Sequence, residues 1–263
     1  MRTAALELLA SRFPEKAVTT LTQVADEGET RERQAALGLL AKINLRPAQE
    51  SLAAWLDRAE QGTCPPELLL EVLEATRDSK DQSLAERCQK LTDRHAASSD
   101  LAEMYAASLQ GGDASRGEQL FLSNESLSCR RCHSLTPGEQ LVGPSLADVG
   151  AKRTRHEIIE SVTKPNAKIV EGFQTTSMLL DTGNVVTGIL RREDDEKAVL
   201  LNADGKEVEV ELDAVEDRAQ GLSAMPEDLM KFMSQRDLRD VVEFLSSQRN
   251  EASTKAEAGH KAD

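Results

Sequence analysis

Residues 129–133 read Cys129-Arg130-Arg131-Cys132-His133. Two cysteines three positions apart, with histidine directly after the second, form the attachment pattern of a c-type haem. Each thiol can make a thioether to a vinyl group, and the histidine then falls beneath the iron as an axial ligand. The chain has 4 Cys and 4 His in 263 residues. At that scarcity, chance yields the pattern in roughly one chain in a thousand of this composition. The alternatives are a thiol redox pair, a zinc half-site or coincidence. A redox C-x-x-C sits between a strand and a helix in a βαβ pattern, whereas this one follows a short helix and enters a loop with Gly138, Gly143 and Pro144. Structural zinc needs four ligands, and Cys64 and Cys88 lie far upstream without forming a close pair.

Working outward, residues 1–112 read as helices joined by short turns. Apolar residues recur at three- and four-residue steps, as in Leu6, Leu9, Ala10 and Phe13, and in Ala36, Leu39, Leu40 and Ile43. Further helical stretches cover Leu52–Leu56, Leu68–Leu73 and Leu84–Leu91. Thr63 is the expected N-cap of a helix beginning near Pro65 and Pro66. Helix pairs of about 40 residues point to HEAT-like repeats, with an irregular helical bundle as the alternative. Gly111-Gly112-Asp113 marks a boundary.

Residues 113–170 carry a short helix with Gly117, Leu120 and Phe121, the Cys-Cys-His motif, and a helix opened by Thr154 and Glu157 at capping-box spacing. The period then shifts to two. Strands are expected at Phe173–Leu180, Val185–Arg192, Ala198–Asn202 and Glu207–Leu212, with hairpin turns at 181–184 and 203–206. The segment 171–218 is therefore read as a small antiparallel sheet or barrel inserted into the haem domain. Helix returns in residues 219–249, where Ser234 and Asp237 cap a stripe of Leu238, Val241, Val242 and Leu245. Residues 250–263 lack bulky apolar groups and read as a disordered tail. The expected fold class is mainly α with a small β insertion: a helical-repeat array, then a cytochrome c-like domain interrupted by the sheet.

A haem electron carrier commonly has a sixth ligand from the protein. Downstream candidates are Met178, Met225, Met230, Met233, His156 and His260. Met225 stands apart because Ser223-Ala224-Met225-Pro226 is a loop stiffened by proline. A thioether there favours ferrous iron and raises the reduction potential. Met178 falls in an expected strand, and Met230 and Met233 read as core fillers.

The order of Gly117 and Phe121, C-x-x-C-H, Gly143-Pro144-x-Leu146, a Met-Pro loop and a closing amphipathic helix resembles class I cytochromes c. The strings from Lys164-Pro165-Asn166-Ala167 to Gln174-Thr175-Thr176, and Ser223-Ala224-Met225-Pro226-Glu227, are more specific. They resemble the haem-binding domain of planctomycete and verrucomicrobial type, over about residues 113–247. The resemblance implies haem c held by Cys129 and Cys132, with His133 and Met225 as axial ligands. It implies that the Pro144 carbonyl fixes the His133 ring, and that Gly117 and Phe121 pack on the last helix near Phe244. That family favours Met-Met-Pro-Glu-Gly, where this chain has Ala224-Met225-Pro226-Glu227-Asp228. Its domain commonly follows helical repeats and a propeller dehydrogenase, and no propeller is visible in this sequence.

The chain carries 32 Lys+Arg against 46 Asp+Glu, a net charge of -14, which argues against nucleic acid as a partner. No apolar run reaches the length of about 18 residues that a membrane helix needs. The expected function is one-electron transfer to or from a redox partner or dehydrogenase domain, in a periplasmic or otherwise extracytoplasmic setting. Met1 to Phe13 reads as an amphipathic helix and not an export signal, so the chain is expected to be a piece of a larger exported protein. Two other classes stay open. One is a haem enzyme or sensor with an open sixth position, and the other is a helical interaction scaffold. Lys152, Arg153 and Arg155 could steer an acidic partner, meet haem propionates or simply be a solvated helix start.

Overall fold

Prolines and short polar caps set the helix ends of the first part of the chain. The computed structural model describes residues 2–249, so the tail expectation and His260 lie outside the described residues. The chain divides into two compact units, the first Met1–Gly112 and the second beginning at Asp113. Within the first, helices α1 (Arg2–Arg12), α2 (Pro14–Glu27), α3 (Thr30–Lys42), α4 (Arg46–Glu60), α5 (Leu69–Arg77), α6 (Gln82–Ala96) and α7 (Leu101–Met104) follow one another. Pro14 and Pro47 occupy the first turns of α2 and α4, where a missing N–H costs nothing. Asp81 and Asp100 cap α6 and α7 by accepting backbone N–H bonds. Successive helices pack on one another, and α3 also packs on α1 and α5. The core holds Leu21, Leu37, Leu40, Leu56 and Trp55, with the Arg58 guanidinium 4.1 Å from the Trp55 ring centre.

Two local expectations fail here. Thr63 is not an N-cap: its N–H and hydroxyl both donate to the Arg58 carbonyl (2.8 and 3.3 Å) and close the end of α4. The N–H groups that a Thr63 cap would satisfy belong to Pro65 and Pro66, which have none. Helix resumes instead as a 3-10 turn, Pro66–Leu68. Phe13 is 57% exposed while Leu6 is buried. Pro14 ends α1 at Arg12 and leaves Phe13 in the link, off the apolar face.

In the second unit, α8 (Ala114–Ser123) lies across α12 (Gln235–Ser247). Gly117 makes the crossing possible: a Cβ there would sit 1.9 Å from the Asp240 carbonyl oxygen. One turn on, the Phe121 and Phe244 rings meet with centroids 5.6 Å apart. Arg116 pairs with Asp237 and with buried Asp240, which also accepts the Asp113 N–H at 2.7 Å. The short helices α9 (Cys129–Cys132) and α10 (Val149–Lys152) come next, then α11 (Arg155–Thr163). Thr154 and Glu157 form the capping box of α11, and Ser234 and Asp237 form that of α12. Leu238, Val241, Val242 and Leu245 are all buried.

Between α11 and α12 stands one antiparallel sheet: β1 (Gln174–Leu180), β2 (Val185–Glu193), β3 (Lys197–Leu201), β4 (Glu207–Glu211) and β5 (Val215–Ser223), in the order β4-β3-β2-β1-β5. Its apolar face gathers Met178, Ala198, Leu200 and Val210. The edge strands β4 and β5 are joined by only Leu212–Ala214. Five flat strands would put the edges about 19 Å apart, while such a link spans about 14 Å at most. The sheet therefore curls, with register shifts in β1 and β2 supplying the bends. β5 was not among the expected strands, and it carries the β segment past residue 218 to Ser223. Its solvent-facing residues lack the alternation that marks a half-buried strand. The molecule is thus mainly helical with one small β part. No helix among the described residues is long and apolar enough to cross a membrane.

Candidate functional site

The Cys-Cys-His segment is shaped by the turn before it. The Asn124 side chain accepts from the Ser126 and Leu127 N–H groups, and Ser128 takes a left-handed conformation, φ 47. One helical turn follows, closed by the His133 N–H to the Cys129 carbonyl at 3.0 Å. Cys129 and Cys132 then share a face at i, i+3, and His133 leaves from the end of the turn.

The loop after the motif grips the imidazole. The Gly143 N–H donates to the Cys132 carbonyl at 2.8 Å. A Cβ on Gly143 would lie 2.6 Å from His133 Cε1, so the backbone rests directly on the ring. His133 Nδ1 is 2.9 Å from the Pro144 carbonyl oxygen. A carbonyl only accepts, so Nδ1 carries the proton and Nε2 holds the free lone pair. This is how metal-ligating histidines are oriented. The loop is braced by the Leu146 N–H to the Ser134 carbonyl (2.8 Å) and by a Ser134–Glu139 hydrogen bond. From the sheet, Arg191 donates to the Leu141 carbonyl and to Gln140 (3.3 Å).

Burial lowers the His133 pKa, against a smaller opposing effect of the Pro144 hydrogen bond. The neutral ring, the form that binds metals, is favoured. Burial also pushes the Cys129 and Cys132 thiols up, so both are protonated at neutral pH. A redox dithiol needs the opposite shift.

The depressed His133 pKa makes the stability of the protein depend on pH. Above the ordinary histidine pKa of about 6.5, its contribution to stability is fully present. As pH falls below that value the unfolded chain takes up a proton that folded His133 resists, and stability drops. Urea melts between pH 7.5 and 5.5 should show the loss, and His133→Gln should make it smaller. Part of the slope will persist in that variant, because burial lowers the His95 pKa as well. An identical slope in both proteins would contradict the assignment.

Met225 is half-buried in the loop between β5 and a 3-10 turn, Leu229–Phe232. Its N–H donates to Ser223 Oγ at 3.1 Å. The structure thus gathers Cys129, Cys132, His133 and Pro144 into one cluster. Met225 is held in a loop of its own, with no hydrogen bond to that cluster among the described residues. Met178 lies in the sheet core, 0% exposed, packed with Ala198, Leu200 and Val210. Met230, Met233 and His156 are half-buried.

The other thiols have local partners. Cys88 Sγ donates to the Leu73 carbonyl at 3.2 Å, and burial raises the Cys64 pKa to about 11. All four cysteines are free, and no cluster of three or more potential metal-binding Cys, His, Asp or Glu occurs among the described residues. A four-ligand zinc site therefore has no candidate there. The basic trio does not form a free patch. Arg155 makes a two-pronged pair with Glu243 (2.7 Å each), tying α11 to α12, while Lys152 faces Asp148 and Arg153 faces Glu157. Arg191 was not among the expected site residues and has no local signal beyond being polar in a strand, while Asn166 lies in the Lys164–Ala167 string quoted above but carried no assigned role. No protein-family model and no curated protein sequence matches the chain.

Proposed function

We propose that this chain is a covalent c-type haem protein that carries one electron at a time within a larger exported oxidoreductase. The observation that carries this reading is the hold on His133: Cε1 and Nδ1 of the ring close against Gly143, Nδ1–H on the Pro144 carbonyl, and Nε2 free, directly after two protonated cysteines on one helical turn. Cys129 and Cys132 would hold the haem by thioethers, and His133 and Met225 would be its axial ligands. Bound haem supplies a ferric/ferrous couple whose potential follows from axial ligands and burial. The protein's part is orientation: the Pro144 carbonyl fixes the tautomer, and the Gly143 backbone excludes other ring rotations. The second unit is read as a cytochrome c-like domain and the helical unit as a HEAT-like array. The partner is a redox protein or dehydrogenase domain, and the setting is periplasmic or otherwise extracytoplasmic.

Protein exported together with haem-maturation machinery tests the ligand pair. The unsubstituted protein is expected to show a near-infrared sulfur-to-iron band. Met225→Ala should abolish that band, open the iron to carbon monoxide, and lower the reduction potential by on the order of 100 mV. Ready carbon monoxide binding and no band in the unsubstituted protein would favour a haem enzyme or sensor instead.

A further inference from the structure

Two stretches far apart in sequence, Lys164-Pro165-Asn166 and Ser223-Ala224-Met225-Pro226-Glu227, meet through one side chain. Asn166 follows α11, just after buried Pro165. Its Oδ1 accepts the Ser223 N–H at 2.8 Å, and its Nδ2 donates to the Glu227 carboxylate. The direction of the amide is not a free choice. A backbone N–H only donates, so oxygen must face Ser223, and a carboxylate only accepts, so nitrogen must face Glu227. Met225 lies midway between the two anchored residues, and its own N–H is taken by Ser223 Oγ at 3.1 Å.

The position of this bridge matters as much as its chemistry. The whole sheet, from Gln174 to Ser223, leaves and returns at this neck. Gln174 pairs with Ser223, and Thr175 Oγ1 donates to the Leu222 carbonyl at 2.8 Å. Gly221 lets the strands close, since a Cβ there would lie 2.2 Å from Thr175 Oγ1. Without a tie from α11, the Met225 loop would inherit every motion of a small curled sheet.

We infer that Asn166 is the positioning residue for Met225: it fastens both sides of the methionine loop to the end of α11 and so isolates the thioether from the inserted sheet. This rests on the reading that Met225 ligates haem iron.

The test uses the whole chain carrying covalent haem, observed through the sulfur-to-iron band as pH is raised. Asn166→Asp keeps the bond to Ser223 but sets two carboxylates against each other at residue 227. The band should weaken, and the pH at which it disappears should fall by about one unit, as for tenfold weaker ligation on losing one charge-assisted hydrogen bond. Asn166→Asp combined with Glu227→Gln restores a donor opposite the new acceptor and should return the band and its pH limit to their starting values. A general loss of stability would not be undone by that exchange. Should Asn166→Asp fail to fold, Glu227→Ala removes one exposed anchor and should move the pH limit in the same direction by a smaller amount. An unchanged band and pH limit in these variants overturns the inference while Met225 ligation stands. Absence of the band from the unsubstituted protein overturns Met225 ligation, and the inference with it.

Discussion

Gly117→Val will destabilise the second unit by about 4 kcal/mol, above the usual overpacking cost of about 1–3 kcal/mol because the clash is with helix backbone. The new Cβ would stand 1.9 Å from the Asp240 carbonyl oxygen, 2.5 Å from its carbon and 2.8 Å from Phe244 Cβ. Two of those atoms are helix backbone, so relief requires α8 and α12 to part. Parting them also breaks the Arg116 pairs with Asp237 and Asp240 and separates Phe121 from Phe244. The melting temperature of the unit should drop by about 12 °C, at roughly 3 °C per kcal/mol for a domain of this size. Hydrogen exchange read by mass spectrometry checks this within one sample. Protection should fall in α8 and α12 and persist in α2–α6. Retained protection at α12 would show that the two helices have another way to pack.

Gly143→Val tests the proposed haem ligation directly. A Cβ there would lie 2.6 Å from His133 Cε1, 2.8 Å from Nδ1 and 3.1 Å from the Cys132 carbonyl oxygen. The ring can escape only by rotating away, which breaks the 2.9 Å contact with the Pro144 carbonyl. In haem-loaded protein, ligation by His133 should weaken about 10- to 100-fold, the usual cost of losing the partner that orients a metal-bound histidine. The visible spectrum should shift from six-coordinate low-spin toward high-spin, while the thioethers at Cys129 and Cys132 remain. A low-spin spectrum unchanged by the substitution would mean that the ring does not depend on Gly143 for its position.

What could be read in advance was local. The capping boxes at Thr154–Glu157 and Ser234–Asp237 are four-residue signals, and both form as read. The stripe on α12 and the alternation of Glu207 to Glu211 report their own burial, because side-chain direction repeats with each element's period. β5 escaped because an exposed edge strand has no buried face to impose a pattern; only its pairing with β1 reveals it. Thr63 has a capping side chain but nothing to cap, because Pro65 and Pro66, at the positions a cap would serve, have no N–H groups. At the site, the Cys129–His133 motif is contiguous and legible. The Asn166 bridge, the Arg155–Glu243 pair and the reach of Arg191 to Leu141 join residues that the chain separates by whole elements. No periodicity or spacing encodes such contacts.

Covalent haem at Cys129 and Cys132 is tested most directly by the intact mass and visible absorption of the protein after export with haem-maturation machinery, unfolding in denaturant and removal of all non-covalent ligand. One haem per chain should remain attached to the unsubstituted protein, and none to a variant combining Cys129→Ala and Cys132→Ala. A haem-free mass for the unsubstituted chain, in cells that mature another c-type protein normally, would contradict the account.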